Sequence, residues 1–340
     1  MENWIIGQNK NDSLVVSSRI RLARNIKGIA FPNRLDEELS KSIIKDVESA
    51  FYKFSENTEF FQTMYMWNED KISQEAFLEK HLVSHKLLSN SSKAAFILDE
   101  KETISIMINE EDHLRIQCIT AGLNLTEAFD MAIKLDDLLE ENLEFAFNEN
   151  LGYITACPTN IGTGMRASAM VHLPALAMNE EITGVFKALA QVGMTLRGLY
   201  GEGSQALGNF YQISNQVTLG LHEEEIINNL TSVLNKIITQ EKLSREHMLR
   251  KRKYELEDKI FRSLGLLKSA VLINNKECLY NLSNVRMGVE MDIVKGMDIK
   301  ILNSLLVATQ TASLQKNLGV KLSERERDLK RGEIIKEILK

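Results

Sequence analysis

A short stretch in the middle of the chain, from Cys157 to Arg166, combines residue types that could bind a phosphate group. It joins one β-like run, Gly152 to Ala156, to another, Ala167 to His172. Its two glycines would let the backbone approach a ligand, and successive N–H groups in a turn form an anion-binding concavity. Arg166 adds a forked guanidinium suited to phosphate. The alternative is an ordinary hairpin loop with a surface arginine.

A second polar cluster, Asn109 to Arg115, favours a functional site over that plain loop. It lies between the β-like runs Thr103 to Asn109 and Leu114 to Thr120, so its three carboxylates are expected at the end of an antiparallel pair. The commoner fate of such an acidic run is a solvated turn. Together the two clusters indicate a site that handles both negative and positive charge.

Five arginines stand in strand or loop contexts, without a lysine in the same motifs: Arg19, Arg21, Arg115, Arg166 and Arg197. On a strand, Arg19 and Arg21 share one face and Arg24 lies on the other. Two guanidiniums on one face repel each other unless an anion or carboxylates lie between them. The alternative for this segment is the solvated face of an edge strand. The pattern suggests clamping of a polyphosphate by bidentate hydrogen bonds. The P-loop and the His-Arg-Asp kinase loop are absent from the sequence.

Two further segments could contribute to such a site. The glycine-rich run Arg197 to Ser204 pairs an arginine with a carboxylate, and such loops beside a sheet often act as lids. A long hairpin loop ahead of a strand from Phe210 to Leu219 is the alternative. His81 and His85 stand one turn apart on a predicted helix, Gln74 to Leu88, but they lack a third ligand nearby. We interpret them as surface or base-contacting residues and expect no metal site.

The composition places limits on the class of protein. A length of 340 residues favours about two domains, and 44% hydrophobic with 26% charged residues is typical of a globular protein. The net charge of -6 argues against a general nucleic-acid binder. The sequence has no apolar run of the roughly 20 residues that span a bilayer, and no signal peptide, so we expect a cytoplasmic protein. Cys118, Cys157 and Cys278 are expected to be free thiols.

The pattern along the chain predicts an α+β protein. Strands are expected at Leu14 to Asn25 and Ala94 to Leu98, beside those already named, and from about His222 onward no strand is predicted. The predicted helices are Asp36 to Phe54, Leu123 to Phe147, Glu180 to Val192 and Glu223 to Ile260. We therefore predict an antiparallel sheet flanked by helices in residues 1–222, followed by a small all-α domain in residues 223–340.

Four motifs, in order along the chain, closely resemble those of the phosphagen (guanidino) kinases, the family of creatine and arginine kinases. These motifs are Ser17 to Arg21, Asn109 to Arg115, Cys157 to Gly164 and Arg197 to Glu202. The resemblance covers roughly residues 14 to 220 and implies a glutamine synthetase-like antiparallel sheet. The small helical N-terminal domain of the metabolic enzymes is missing, and an extra helical domain follows. That arrangement resembles the bacterial protein arginine kinases of the family.

The resemblance implies that the γ-phosphoryl group of Mg-ATP is transferred to a guanidinium nitrogen. It assigns Glu111 as the base, Glu202 as a second carboxylate that holds the acceptor, and Cys157 as a reactive thiol that tunes the site. It assigns phosphate binding to the five arginines and a nucleotide contact to His81. The implied nucleotide-contacting segments are Ser17, Ser18, Arg19, Ile20 and Arg21, then Arg166, Ala167, Ser168, Ala169 and Met170, and finally Arg197, Gly198, Leu199, Tyr200, Gly201 and Glu202.

Near the C-terminus, Arg327, Asp328 and Arg331 match the phosphoarginine-binding motif of protein arginine kinases. At i and i+4 on a helix, the two arginines share a face and could grip a phosphate. Gly332 stands where the motif usually ends in alanine, which lowers helix propensity there. The helical domain is therefore expected to bind phosphoarginine allosterically and to mediate dimerisation. An ordinary salt-bridged helix is the alternative.

The resemblance further implies protein substrates such as stress-response repressors and unfolded proteins, an activator protein, and a Clp protease downstream. Two other functions stay open at this point. One is a small-molecule guanidino kinase, and the other is a catalytically silent adaptor that binds phosphoarginine. The presence of Glu111, Glu202 and all five arginines argues against the adaptor.

Overall fold

We describe a computed structural model of the chain, which covers residues 3–7, 14–54, 58–198 and 206–340. The strands are β1 (Val15–Arg24), β2 (Phe61–Tyr65), β3 (Ala95–Asp99), β4 (Ile104–Ile108), β5 (Leu114–Ala121), β6 (Phe147–Asn148), β7 (Gly152–Tyr153), β8 (Met165–His172), β9 (Met194–Gly198) and β10 (Phe210–Asn215). The helices are α1 (Glu37–Phe54), α2 (Lys71–Glu79), α3 (His85–Ser89), α4 (Leu125–Glu140), α5 (Pro174–Met178), α6 (Ile182–Gln191), α7 (Glu223–Lys251), α8 (Lys253–Ser269), α9 (Asn275–Glu290), α10 (Ile299–Ala308), α11 (Thr311–Leu318) and α12 (Glu324–Ile338).

Eight strands form one antiparallel sheet in the order β2-β3-β4-β5-β1-β8-β10-β9, and β6 and β7 form a separate hairpin. Strand β1 lies in the interior of the sheet, paired with β5 on one side and β8 on the other. The edge-strand alternative for Arg19 and Arg21 is therefore wrong. The register places Arg21 opposite Gln117 of β5 and opposite Arg166 of β8.

One face of the sheet packs against α1, α4 and α7 around the larger hydrophobic core. Alternate strand residues point into this core, because successive side chains of a strand leave opposite faces. Ile20 of β1, Ile116 of β5 and Ala167 of β8 belong to it, together with Ile43 of α1 and Leu230 of α7. The intervening residues, which include the arginines, project from the other face.

In the described ranges, two clusters of side chains cover that second face toward its borders. Toward one end, Val16, Met170 and Phe210 of the sheet pack against Leu279 and Leu305 of the C-terminal helices. Toward the β2–β4 edge, a smaller cluster covers the strands with α2 and α3. The positions that carry arginines on β1, β5 and β8 lie between these two coverings.

Three predicted helices differ from the observed ones. The predicted helix Gln74 to Leu88 is two helices, since α2 ends at Glu79 and His81 takes a positive φ of 63°. His81 and His85 are therefore not one turn apart on one helix. Helix α4 ends at Glu140 rather than at Phe147, which begins β6. The predicted helix Glu223 to Ile260 breaks at Arg252, where φ is -140°.

The C-terminal part of the chain is helical, as expected, but α7 packs with the sheet. Its residues Ile226, Leu230 and Leu234 belong to the larger core on the sheet, whereas Leu267, Leu279 and others of the later helices form a second cluster. The boundary between residues 222 and 223 stays a prediction. Among the helices of the described ranges, none combines the length and apolar character needed to cross a membrane.

Candidate active site

Four of the predicted arginines converge on the open face of the sheet. Arg19 and Arg21 come from β1, Arg115 from β5 and Arg166 from β8, and the pairing register makes them neighbours. Burial lowers the pKa of Arg19 to about 10, with Arg166 and Arg115 adding to the effect. The pKa of Arg21 is lowered further, again mainly by burial and then by the other three guanidiniums. Such a concentration of like charge favours a bound anion.

Neutral side chains hold two of these arginines in place without cancelling their charge. A guanidinium N–H of Arg19 donates to Gln212 Oε1 at 2.8 Å. Arg166 donates through Nε and Nη2 to Ser214 Oγ at 3.3 and 3.0 Å. In the described part of the chain, Arg19, Arg21 and Arg166 form no ion pair with a carboxylate. Their charges therefore stay available for a phosphate.

Gln212 and Ser214 were not identified from the sequence. Both lie on β10, and with Phe210 they share the face that carries the arginines, since Tyr211 and Ile213 point into the core. The sequence did contain a signal for them. Phe210, Gln212 and Ser214 are two residues apart, the spacing of side chains on one face of a strand. Arg197 of β9 lies opposite Gln212, and it lines a small pocket together with Arg166 and Asn160.

The predicted carboxylate loop connects β4 to β5, at the edge of the arginine cluster. Glu110 is buried, and its carboxylate accepts hydrogen bonds from Ser84 Oγ, from Arg115 Nη1 at 2.8 Å and from the backbone N–H of Glu111 at 2.7 Å. Glu111 is 36% exposed, with Oε2 at 3.8 Å from Arg115 Nη2. Partial burial raises the pKa of Glu111, while Arg115 works in the other direction. Glu111 thus presents an accessible carboxylate beside the anion site.

Asp112 connects this loop to the Cys157 stretch. It is buried, and its Oδ1 accepts hydrogen bonds from Asn25 Nδ2 and from the backbone N–H of Ala156, both at 2.6 Å. Burial raises the pKa of Asp112, although these hydrogen bonds and Arg115 oppose the effect. The alternative of a solvated acidic turn is therefore wrong for Glu110 and Asp112, which are buried. It fits the partly exposed Glu111 alone among the three.

Part of the predicted nest of free N–H groups in the Cys157 stretch is used for hydrogen bonds within the protein. The N–H of Asn160 donates to Cys157 O at 3.0 Å, that of Thr163 to Thr218 O at 3.2 Å, and that of Met165 to Thr163 Oγ1 at 3.1 Å. These hydrogen bonds connect the loop to itself and to Thr218. The positive charge next to this stretch comes from the guanidiniums of the arginine cluster.

The two glycines of that stretch serve packing within the protein rather than ligand approach. Gly162 has φ of 111°, and a Cβ there would stand 2.3 Å from Thr218 O. Gly164 has φ of 65°, and its Cβ would stand 2.7 Å from Ala23 O. Cys157 itself is half-buried, with Sγ 3.0 Å from Thr159 Oγ1. It lies near enough to Arg166 to oppose part of the lowering of that residue's pKa, which burial and Arg197 cause.

The predicted nucleotide-contacting segments contribute alternate side chains only. Ser17, Arg19, Ser168 and Met170 line a pocket on the arginine face. The side chains between them lie on the other face, because the strands are extended. Ile20, Ala167 and Ala169 belong to the buried core, and Ser18 Oγ donates to Gly122 O.

His81 and Trp4 complete the same pocket. The Trp4 side chain is buried, and its ring centroid lies 5.9 Å from that of His81. Burial, assisted by Arg19, lowers the pKa of His81 to about 3, so the imidazole is neutral at pH 7. The pocket therefore offers an aromatic, uncharged end next to the arginines. Trp4 was not identified from the sequence.

Several predicted residues lie outside the described ranges. Gly198 is the last residue of β9, and Leu199, Tyr200, Gly201 and Glu202 follow it in the undescribed segment 199–205. The role of Glu202 as a second carboxylate therefore stays a prediction.

The C-terminal motif has an unexpected geometry. Arg331 is 1% exposed, and it donates to Thr309 O, Ile273 O and Asp328 Oδ1 at 2.8, 2.8 and 2.6 Å. Arg327 is half-buried, and its Nη1 donates to Leu322 O. The expected grip by two outward guanidiniums on one helix face is not formed in this conformation, because Arg331 turns inward to bind backbone carbonyls. Phosphoarginine binding here stays a prediction.

Helix α12 runs through Gly332 without a break. A Cβ at Gly332 would stand 3.0 Å from Val271 O and 3.1 Å from Ala270 O. The glycine therefore allows α12 to pack against the connection between α8 and α9, at the cost of helix propensity.

Comparison with known families agrees with this geometry. A model of the ATP:guanido phosphotransferase C-terminal catalytic domain matches residues 42–244. A model of the protein-arginine kinase McsB C-terminal domain matches residues 253–340. The chain is 60% identical over 340 residues to a protein-arginine kinase of Clostridium kluyveri, covering 100% of this chain and 99% of that protein. It is 52% identical to a protein-arginine kinase of Clostridium acetobutylicum, covering 100% of both.

Solved structures confirm the predicted fold class. The duplicated taurocyamine kinase from Schistosoma mansoni, with bound transition state analog components, matches with a TM-score of 0.62 and 23% identity over 77% of this chain and 39% of that chain. A lombricine kinase matches with a TM-score of 0.60 and 25% identity, covering 71% of this chain and 70% of that chain. The chain belongs to the ATP:guanido phosphotransferase family, among its protein-arginine kinases.

Proposed function

We propose that this enzyme transfers the γ-phosphoryl group of ATP to the guanidinium of arginine side chains in proteins. The observation that carries the proposal is the position of Glu111. This partly exposed carboxylate, with a raised pKa, stands beside the arginine cluster, in which, within the described ranges, Arg19, Arg21 and Arg166 form no ion pair with a carboxylate. The site thus offers an anion-binding surface and a proton acceptor side by side.

The reaction needs both parts. A guanidinium has a pKa above about 12 and is a poor nucleophile while protonated. Glu111 holds it and accepts a proton as the nitrogen forms its bond to the γ-phosphorus, and the bond between that phosphorus and the leaving oxygen of ADP breaks. Arg19, Arg21, Arg115 and Arg166 neutralise the charge on the transferring group, which is the main protein contribution to phosphoryl transfer.

The nucleotide would lie across the open face of the sheet. Its phosphates would contact the four arginines, and its base would lie toward Trp4 and His81. Arg197 would contact the nucleotide from the β9 side, and Glu202, outside the described ranges, is proposed as the second carboxylate that holds the acceptor. The half-buried Cys157 would adjust the acceptor position rather than form a covalent intermediate.

Magnesium would enter with ATP. The described ranges hold no cluster of three or more His, Cys, Asp or Glu side chains that could bind a metal ion alone. The carboxylate of Glu110 is engaged by Ser84, Arg115 and the N–H of Glu111. Mg²⁺ commonly binds through substrate phosphates with few protein ligands, and its charge would add to that of the arginines.

A protein acceptor is favoured over a small guanidino compound by the helical region after the kinase fold. This region matches the C-terminal domain model of protein-arginine kinases along residues 253–340. Arg327 and Asp328 would bind phosphoarginine there and regulate the enzyme. We further propose a cytoplasmic homodimer that acts on stress-response repressors and unfolded proteins, with an activator protein and a Clp protease as partners.

The test compares two acceptors in parallel. Wild-type enzyme is supplied with ATP and either an unfolded arginine-rich protein or free arginine, and kcat/KM is measured for each. A clear preference for the protein supports the proposal. A preference for free arginine would make this a small-molecule guanidino kinase. Inactivity with both acceptors would favour the phosphoarginine-binding adaptor or a kinase that awaits its activator.

A further inference from the structure

Asn25, at the end of β1, uses its whole side chain to join two loops of the site. It is 2% exposed. Its Oδ1 accepts a hydrogen bond from the backbone N–H of His113 at 2.9 Å, and its Nδ2 donates to Asp112 Oδ1 at 2.6 Å and to Ile154 O at 3.0 Å. The first two contacts lie on the carboxylate loop, and the third lies on the segment that enters the Cys157 stretch.

Asp112 completes the connection. The same Oδ1 atom that binds Asn25 also accepts the N–H of Ala156 at 2.6 Å. Asp112 directly follows Glu111, and Ala156 directly precedes Cys157. Asn25 and Asp112 together therefore set how far the backbone at Glu111 lies from the backbone at Cys157.

The preceding residue holds the far end of the same stretch. Arg24 Nη1 donates to Thr163 O at 3.1 Å, and its guanidinium carbon lies 3.5 Å from the centre of the Tyr153 ring. A buried ion pair with Asp136, 2.6 Å long, fixes Arg24 in turn. The last residue of β1 and the residue after it thus bind both ends of the segment 154–163.

We propose that Asn25 is a positioning residue, which holds the Glu111 loop and the Cys157 stretch at the spacing that catalysis requires. The proposal rests on the proposed role of Glu111. A base must lie within hydrogen-bond reach of the nitrogen that it deprotonates, and a misplacement of 1 Å can lower the rate by about 100-fold. Asn25 is buried and bound to the two loops, so it acts through them.

The chemistry of the Asn25–Asp112 pair suggests a reversible test. Asn25→Asp keeps an acceptor for the N–H of His113 but turns a carboxylate toward the buried carboxylate of Asp112. These like charges would push the two loops apart. Adding Asp112→Asn removes the like-charge repulsion, while its oxygen still accepts the N–H of Ala156 and the donor to Ile154 O stays absent.

The matched control is Asn284→Asp. Asn284 is buried in α9, and its Nδ2 donates to Ser263 Oγ at 3.0 Å, away from the site. Like Asn25→Asp, this substitution removes the amide donor of a buried asparagine. A role limited to stability would therefore affect the two single variants alike.

The experiment measures kcat, the KM for ATP and for protein acceptor, the Tm, and the alkylation rate of Cys157 in wild type, N25D, N25D/D112N and N284D. Cys118 and Cys278 are buried, so a thiol reagent reports on Cys157. We expect N25D to lower kcat by about 100-fold and to change the alkylation rate, with little change in the KM for ATP. We expect the double variant to recover part of both, because only the charge repulsion is removed, and N284D to lower only the Tm.

Equal effects of N25D and N284D on every readout, or no recovery in the double variant, would overturn the proposal. Failure of the proposed function is distinguishable. If wild type phosphorylated no acceptor, the alkylation rates would still compare the spacing of the loops, and an unchanged rate in N25D would contradict the positioning role by itself.

Discussion

Arg21 of β1 lies directly opposite Arg166 of β8 in an interior strand pair of the sheet, and Arg115 approaches from β5 on the other side. Facing guanidiniums in a pair of strands destabilise the sheet, because like charges directly opposite repel. The ligand-free protein therefore bears an electrostatic cost that a polyphosphate would relieve. Affinity for the nucleotide and instability of the empty site have the same origin.

Replacing Arg21 should separate these two effects. We expect Arg21→Met to raise the free energy of unfolding of the ligand-free protein by about 1 kcal/mol, because the substitution removes a partly buried charge from a repulsive cluster. The same variant should lose most of the rise in Tm that ATP gives the wild type, since ligand stabilisation follows binding. Thermal melts with and without ATP check both. Arg262→Met, at a side chain 80% exposed on α8, is the control and should change neither. A destabilised R21M protein would contradict the argument.

Glu111→Gln should abolish transfer while leaving the fold intact. We expect a loss of at least about 10³-fold in kcat, within the range for removal of a general base together with its charge. Glutamine keeps the shape but cannot accept the proton. Nucleotide binding, followed by calorimetry, should stay near the wild-type value because the arginines are unchanged.

The pH dependence of the wild type provides a second check on Glu111. Partial burial raises its pKa above the usual value for glutamate. The active carboxylate is lost as the pH falls through this raised pKa, so the acidic limb of kcat/KM should lie at higher pH than for an ordinary glutamate. A raised pKa also means that the charged carboxylate is less favourable in the folded than in the unfolded protein, which lowers stability above that pKa. The Gln variant should therefore be no less stable than wild type at pH 7. An acidic limb at or below the ordinary value would contradict this assignment.

Gly162 should tolerate no side chain. We expect Gly162→Ala to lower the free energy of unfolding by about 2–4 kcal/mol, since φ is positive and the new Cβ would collide with Thr218 O. Chemical denaturation measures the change. Gly184→Ala, in α6 with open space around its Cβ, should be neutral or stabilising by up to about 1 kcal/mol. Equal behaviour of the two variants would show that the loop does not pack as described.

The two arginines of the C-terminal motif should behave differently. Arg331→Ala removes a buried guanidinium bound to two backbone carbonyls and Asp328, so we expect a loss of about 3 kcal/mol in stability. Arg327→Ala should leave the Tm nearly unchanged and weaken the binding of a phosphoarginine peptide, measured by calorimetry. If Arg331→Ala left the Tm unchanged, Arg331 would not have the structural role seen here.

Local patterns in the sequence were sufficient for part of the site. The alternation of Arg19 and Arg21 on one strand, and the placement of Glu110 to Asp112 between two strands, follow from periods that neighbouring residues reveal. The structure has both features as expected. The four family motifs added the identity of the reaction, which composition and spacing alone did not supply.

The remaining features depend on contacts between distant segments. The role of Asn25 arises from residues 87 to 129 positions away in the chain, and Gln212 meets Arg19 across 193 positions. Gly162 and Gly164 resembled a ligand-binding turn because their partners, Thr218 and Ala23, are not visible in the local sequence. For the same reason the inward turn of Arg331, toward Thr309 and Ile273, could not be predicted from helical spacing.

The most direct test of the central claim is identification of the product bond. Wild-type enzyme and the Glu111→Gln variant are incubated with ATP and an unfolded arginine-rich protein, and the product is examined by phosphorus NMR and by mass spectrometry under conditions that preserve acid-labile phosphate. The account predicts a nitrogen–phosphorus bond on arginine side chains with wild type and none with the variant. Phosphate on hydroxyl side chains, or equal labelling by both proteins, would contradict it.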